Sequence, residues 1–481
     1  MKLKKFLNKR LWSLGLAGAL TAAMILPVGA ATTQQNLSVT TGIGVQMDGL
    51  NLRMTDVTGK EVGGIYYDGT TYVPARALGE ALGQNVSWDS ATSSVIMKTV
   101  GNEASNDAAY LKEYFGIAPM TGTVSWSTWS AALNKVNGSS ASGSGTLTPA
   151  SAAKSLVALA NLTELAENYK AETAAATCKR YGTVSAADAK YVACALDTGL
   201  IPTTVNLTAA LDGNTASALL MNAVETAGLG RNYIGYSSDA DIGARLVSTW
   251  NSFTLFDDQT LSDLGVQVVT SGATTGYNLK YDGYSARFLK ENTIQYGHSD
   301  ITHAVQLMGL LNREGLVAKV QLEPKVSVYQ YLLEWSDGVL PASTPTYEVR
   351  KASDDLYLCY AVEYDLMLEF ASTADRDAFD KVIMENAKKS DDAPNGEGMI
   401  YGAWWQPLYS TKVAMPAPAY QQINDVVVRD GSYTIHPFAT NEKLPIVKAA
   451  VQKINPSLTL EPTQIWVNAA FYRYLTGSDY Q

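Results

Sequence analysis

The chain of 481 residues holds three histidines, His298, His303 and His436. Two of them stand in "YGHSDITHAVQLMGLL", five residues apart, with Ser299 and Asp300 between them. A serine hydroxyl becomes a useful nucleophile only beside a base that takes its proton. Ser299 with His303 or His436 and a carboxylate would make such a set, although neither order nor spacing specifies a triad. The same imidazoles with Asp300 would offer metal ligands, but a five-residue gap is one longer than the i, i+4 spacing that puts two imidazoles on one helix face. The favoured reading is structural: Ser299 or Asp300 caps the start of a helix and His298 lies just outside it. His436, in "YTIHPFA", precedes a proline and reads as a strand-end residue. No catalytic set is therefore assigned, with Ser299, His303 and His436 as the alternative. Tyr is abundant, at 27 against 9 Phe, and Trp404 and Trp405 are adjacent in "YGAWWQPLY". Flat amphipathic rings of this kind stack on sugars, or anchor a loop or core. The motifs GxxxxGK, GxGxxG, HExxH, paired CxxC and the EF-hand loop do not occur, so no cofactor and no metal is implied.

The elements that must position these residues lie beyond Arg231. Candidate strands are "LGVQVVTSG", "GLVAKVQLE", "TYEVRK", "LYLCYAVEYDLMLEF" and "NDVVVRDGSYTI". Helices are expected at "HSDITHAVQLMGLLNREG", "STADRDAFDKVIMENAKK", "KLPIVKAAVQKI" and "PTQIWVNAAFYRYL". Mixed order without a βα repeat predicts an α+β domain over 231–481. The Gly- and Pro-rich "DAPNGEGMIYGAWWQPLYS" and "AMPAPAY" make this one domain with a long surface loop, or two small ones. The helix and strand from Tyr296 to Gln321 resemble the core of transglutaminase-like or papain-like folds, which place a cysteine at the helix start. Ser299 stands near that position, and "YEV" at Tyr347 replaces the expected histidine-bearing strand. The resemblance implies a degenerate, inactive copy.

The N-terminus has its own chemistry. Lys2, Lys4, Lys5, Lys9 and Arg10 precede an apolar run from Leu11 to Leu26 and a small-residue end near Ala30 and Ala31, the three-part pattern of a secretory signal over residues 1–31. The apolar run is shorter than the roughly 20 residues of a membrane span, and no transmembrane segment is expected in the mature chain. Removing five of 36 basic residues leaves 31 against 46 acidic ones, a net charge of −15. Nucleic acid and anionic membranes are poor partners for such a surface. The three cysteines allow one disulfide; Cys178 and Cys194, in neighbouring helical segments, are the better pair, against the alternative of three small buried side chains.

Behind the signal, residues 39–100 are β-rich, with "DG" turns at Asp48-Gly49 and Asp68-Gly69 between strand-like runs. Pro74 opens a short helix and Gly83 closes it. Ala77, Leu78, Ala81 and Leu82 form its packing face above Val73, Val86 and Trp88, while Arg76 and Glu80 pair on its surface. The sequence "DGTTYVPARALGEALGQNVSWDSATSSVIM" resembles the copper amine oxidase N-terminal-like (stalk) domain, which accompanies exported proteins of Gram-positive bacteria. The resemblance implies a packing or binding unit; three histidines in the whole chain exclude a copper centre. Residues 101–145 read as a linker with one short helix, ending in the Gly/Ser tract "NGSSASGSGT". Helices follow over 146–230, where "SAADAKYVACALDTGLIP" and "LDGNTASALLMNAV" resemble S-layer homology motifs but lack the arginine and glutamate of the wall-binding helix. A bundle without a ligand is the equal alternative. Together these features predict a multidomain α+β chain: a small stalk module, a helical segment and a C-terminal α+β domain. They lead us to expect an exported, non-catalytic cell-envelope protein that meets a wall polymer, peptidoglycan or another envelope protein. The alternative is a wall peptide or glycan hydrolase.

Overall fold

The computed structural model describes residues 36–47, 49–56, 58–81, 84–90, 93–99, 104–386, 408–415, 418–439 and 441–475. The chain divides into two compact units, Met1–Val100 and Gly101–Gln481. The signal segment, Leu82, Gly83 and the Trp404-Trp405 pair lie outside the described residues.

The first unit is assembled from short antiparallel pairs. Strands β1 (Thr40–Ile43), β4 (Gly64–Tyr67) and β5 (Thr70–Tyr72) make a three-stranded sheet, and β2 (Gln46–Met47) pairs with β3 (Leu50–Asn51). Asp68 and Gly69 both take positive φ, 44° and 81°, so the turn between β4 and β5 has the twist a tight hairpin needs. Helix α1 (Ala75–Ala81) follows Pro74, and β6 (Gln84–Asp89) forms a hairpin with β7 (Ser94–Thr99). Arg76 and Glu80 lie 3.8 Å apart on the helix surface, as expected, and Arg76 also donates to the Val86 carbonyl at 2.9 Å. Trp88 does not pack below the helix. It is 56% exposed, and Val95 beside it is also open, whereas Val86 on the same face of the hairpin lies against Gly79 of the helix.

The second unit begins with helices, earlier than the sequence suggests. The stretch read as a linker carries α2 (Ala104–Phe115) and α3 (Trp126–Asn137). Tyr110, Leu111, Trp129 and Leu133 recur at helical spacing and are fully buried. Ser125 caps α3 by accepting from the Thr128 N–H, and Gly138 ends it in the left-handed conformation. These helices share one core with α4 (Pro149–Leu159), α5 (Thr163–Glu167), α6 (Ala171–Lys179), α7 (Ala189–Asp197) and α8 (Gly213–Thr226). Thr148 and Ser151 form a reciprocal cap at α4. Cys178, Cys194 and Cys359 are buried free thiols, so the Cys178–Cys194 disulfide is not formed.

The C-terminal part is a closed barrel. Eight antiparallel strands form a ring in the order β13 (Leu356–Phe370), β10 (Thr293–His298), β14 (Leu408–Thr411), β17 (Thr459–Asn468), β15 (Tyr420–Asp430), β16 (Tyr433–Pro437), β9 (Gly276–Tyr281) and β11 (Ala318–Tyr331). The β11–β13 pairing, from Ala318 opposite Phe370 to Tyr331 opposite Tyr357, closes it. Short β8 (Gly235–Tyr236) and β12 (Tyr347–Ser353) flank the ring. One outer face is covered by α9 (Ile242–Asn251), α11 (Ile301–Arg313) and α12 (Thr373–Asn386), the other by α10 (Gln259–Thr270) and α13 (Leu444–Ile454). A last helix, α14 (Ala469–Leu475), follows β17.

Two expected elements change type in whole or in part. "LGVQVVTSG" is the end of α10, although Val266, Val268 and Val269 favour a strand. Asp258 caps the helix at the Leu261 N–H, and Leu261, Leu264 and Val268 bury one helical face. "PTQIWVNAAFYRYL", read as a helix, divides in half: Pro462–Asn468 belong to β17, and Ala469–Leu475 form the helix α14. Ring closure pairs β17 with β15, Thr459 opposite Arg429 through Asn468 opposite Tyr420, which overrides its local preference. Among the described residues no helix is long and apolar enough to cross a membrane.

Candidate functional site

Strand alternation sends two different sets of side chains to the two sides of the barrel wall. On β11, Val320, Leu322, Val326 and Val328 join the outer apolar cores, whereas Glu323, Lys325, Ser327 and Tyr329 line the interior. On β13, Leu366 and Leu368 face out and Glu363, Asp365 and Met367 face in. Asn278 and Lys280 of β9, Asp425 and Arg429 of β15 and Thr434 and His436 of β16 add further polar groups to a lumen that Met367, Ile423, Val427 and Val467 also line. The lumen is a partly open cavity of about 700 Å³, within the range of small-molecule sites.

The lumen is organised around Asp365. Lys325 Nζ lies 2.7 Å from its Oδ1, and Lys280 pairs with its Oδ2. Lys280 and Lys325 are cross-strand neighbours, a repulsive arrangement that this shared carboxylate relieves. Burial alone would push Asp365 up, but Lys280 and Lys325 together hold it well below the usual carboxylate range. Ser327 donates to Glu363 Oε2 at 2.6 Å and lies 2.8 Å from Asn278 Oδ1. Glu323 accepts from the Ala286 N–H at 2.7 Å, and burial raises its pKa against the pull of Lys280. Burial, then the charge of Lys280, lowers His436 to about 3, so its ring is neutral. Asp425 is only 8% exposed. Burial pushes it up to about 7 although its Oδ1 accepts from the Val426 N–H at 2.7 Å.

Helix α2 closes one end of the barrel. Tyr114 lines the cavity and donates to the Phe288 carbonyl at 2.6 Å, stacked on Tyr110 with ring centroids 4.4 Å apart. The Arg231 guanidinium lies 4.4 Å from the Tyr110 ring centre and pairs with Glu369 at 3.0 Å, Glu225 at 3.1 Å and Asp107 at 3.3 Å. The helical region and the barrel are thus joined by a buried charge cluster where a domain boundary was expected.

The residues singled out from the sequence are only partly brought together. Asp300, not Ser299, caps α11, accepting from the Thr302 N–H at 2.9 Å. His298 ends β10 and accepts from the Asp300 N–H through Nδ1 at 2.8 Å, so its proton sits on Nε2, which faces His303 Nδ1 at 2.8 Å. Burial, then the neighbouring His303, lowers His298 to about 3, so the His298 ring is neutral. Ser299 and His436 both line the cavity, whereas His303 lies in the outer core. Among the described residues no hydrogen bond joins Ser299 to an imidazole, and no group of three or more His, Cys, Asp or Glu side chains is placed to hold a metal. What the sequence reading missed is the interior carboxylate and lysine set. Its trace is the charged alternation in "KVQLEPKVSV" and "AVEYDLMLEF".

One comparison with known proteins bears on the N-terminal unit. Residues 57–109 match the copper amine oxidase N-terminal domain. That agrees with the stalk resemblance and reaches into α2. The domain's name implies copper, but residues 57–109 contain neither histidine nor cysteine, so this donor set does not fit a copper centre. The S-layer homology and transglutaminase-like resemblances gain no support from this match. No curated protein and no solved structure matches the chain.

Proposed function

We propose that this chain is an exported envelope-associated binding protein whose barrel takes up a small polar molecule. The observation that supports it is the partly open lumen of about 700 Å³ lined by Asn278, Lys280, Ser327, Glu363 and Asp365. Its wall places charged side chains beside apolar ones such as Ile423, Val427 and Val467. Those inward charges are costly unless paired, and a polar ligand completes the pairing. The stalk-like unit is a spacer or attachment element on the envelope of a Gram-positive cell, contacting a wall polymer or another envelope protein. The hydrolase reading, resting on Ser299, lacks the base such chemistry requires.

The test is native mass spectrometry of the mature full chain exposed to a panel of polar metabolites and wall-derived sugars and peptides, with Ser327→Trp as a lumen-blocked control. A ligand retained by the wild type and lost in the folded variant supports the proposal. Equal retention by both places the ligand elsewhere and ends it. Co-sedimentation with purified walls tests attachment separately.

A further inference from the structure

We propose that the lumen contains a subsite for an oxyanion, a carboxylate or phosphate group on the ligand, formed by Lys412 and Lys280 with the ring of His436. The proposal rests on the ligand-binding reading above and names the chemistry of what is bound.

Several of the basic side chains that line the cavity already have partners. Lys325 and Lys280 share Asp365, Lys290 lies 3.4 Å from Glu113, and Arg429 is held by Glu461 at 2.7 Å and by Asp282. Lys412 also lines the cavity, and among the described residues it has neither an ion pair nor a hydrogen bond. Lys412 keeps an exposed surface while lining the cavity. Burial and then the charge of Lys280 lower the Lys412 pKa, and His436 feels both lysines. All three basic side chains line the one cavity. Strand register supports this: His436 is opposite Asn278 and Thr434 opposite Lys280 on paired β16 and β9.

The surrounding carboxylates do not cancel these cations. Both oxygens of Asp365 are occupied, Glu363 is engaged by Ser327, and Glu323 is tied to the Ala286 N–H and pushed by burial toward its neutral form. An entering oxyanion would accept from Lys412 and Lys280 within the lumen, where charge-assisted hydrogen bonds are strong. The Thr434 hydroxyl, 3.2 Å from His436 Nε2, can satisfy that ring nitrogen and leave the other facing the site.

The experiment is isothermal titration of the full mature chain at fixed ionic strength with sodium phosphate, D-glucuronate and glucose, repeated for Lys412→Met and Lys412→Arg. Thermal unfolding verifies that each variant folds. The expected result is binding of at least one anion, weakened roughly tenfold to a hundredfold by Lys412→Met and largely restored by Lys412→Arg. Phosphate binding alone assigns a phosphate-bearing ligand, and glucuronate binding alone assigns a carboxylate. Anion binding unchanged in folded Lys412→Met overturns the subsite, as does the absence of binding by both anions. If a neutral metabolite is still lost on Ser327→Trp while the anions fail to bind, the subsite falls and the binding reading stands. If nothing enters the lumen, both fall.

Discussion

Asp425→Asn should stabilise the protein, and only above mildly acidic pH. Asp425 is 8% exposed, its carboxylate accepts one backbone N–H at 2.7 Å, and burial lifts its pKa from 3.8 to about 7. The folded state therefore holds the proton more tightly than the unfolded chain. Between these two values it carries more protons, so stability falls as pH rises through the window and stays low above it. About three pH units at 1.36 kcal/mol each set an upper bound of about 4 kcal/mol, which cavity water on one side reduces to about 2–4 kcal/mol. Asparagine keeps the acceptor for the Val426 N–H and cannot ionise. Urea unfolding of wild type and variant at pH 4 and pH 8 measures the effect. The two should be nearly equal at pH 4, and the variant should be more stable by about 2–4 kcal/mol at pH 8. His298 and His436, lowered to about 3, give the wild type a slope of opposite sign, losing stability as pH falls below about 6.5. They contribute equally to both proteins, so the difference isolates Asp425. A difference of the same size at both pH values would show that the buried carboxylate is not ionised against its environment, and would refute the reasoning.

Two further perturbations test the frame that holds the lumen. Arg231→Met should destabilise the second unit by about 3–5 kcal/mol in chemical unfolding, because Asp107 loses its buried partner and Glu369 keeps only Lys319; a loss under about 1 kcal/mol would mean water replaces the guanidinium. Thiol titration should find no reactive cysteine in the folded protein and all three after denaturation without reductant, since Cys178, Cys194 and Cys359 are buried and free; recovery of one thiol would restore the Cys178–Cys194 bond.

Local signals were legible where local physics decides the outcome. The Asp68-Gly69 turn and the Arg76–Glu80 pair both depend on neighbours within a few residues. The alternation of β11 and β13 was equally visible, but alternation says only that two faces differ. Which face meets the core depends on what covers the strands, and here α9 to α13 claim the apolar side and leave Lys325 and Asp365 inside. The barrel itself was hidden because β9 and β10 are short and β17 reads as helix. Pairings such as Arg429 with Thr459 are set by ring closure, not by the residues alone. Trp129 shows the opposite failure: the stretch after the one expected short helix was read as linker, although its large apolar residues recur at helical spacing.

The ring also constrains the order in which this protein can be made. Tyr277 pairs with Pro437, and Tyr296 with Tyr409, so the first strands of the barrel wait for partners synthesised much later. Such distant pairings fold slowly, since chain entropy is lost before they form. The helical region, all of whose helices precede residue 230, can assemble first and present α2 as a platform. A chain cut before β17 would leave β14 and β15 with unpaired edges open to other chains. Loss of residues 459–481 is therefore expected to appear as aggregation during synthesis, before any effect on what the lumen holds.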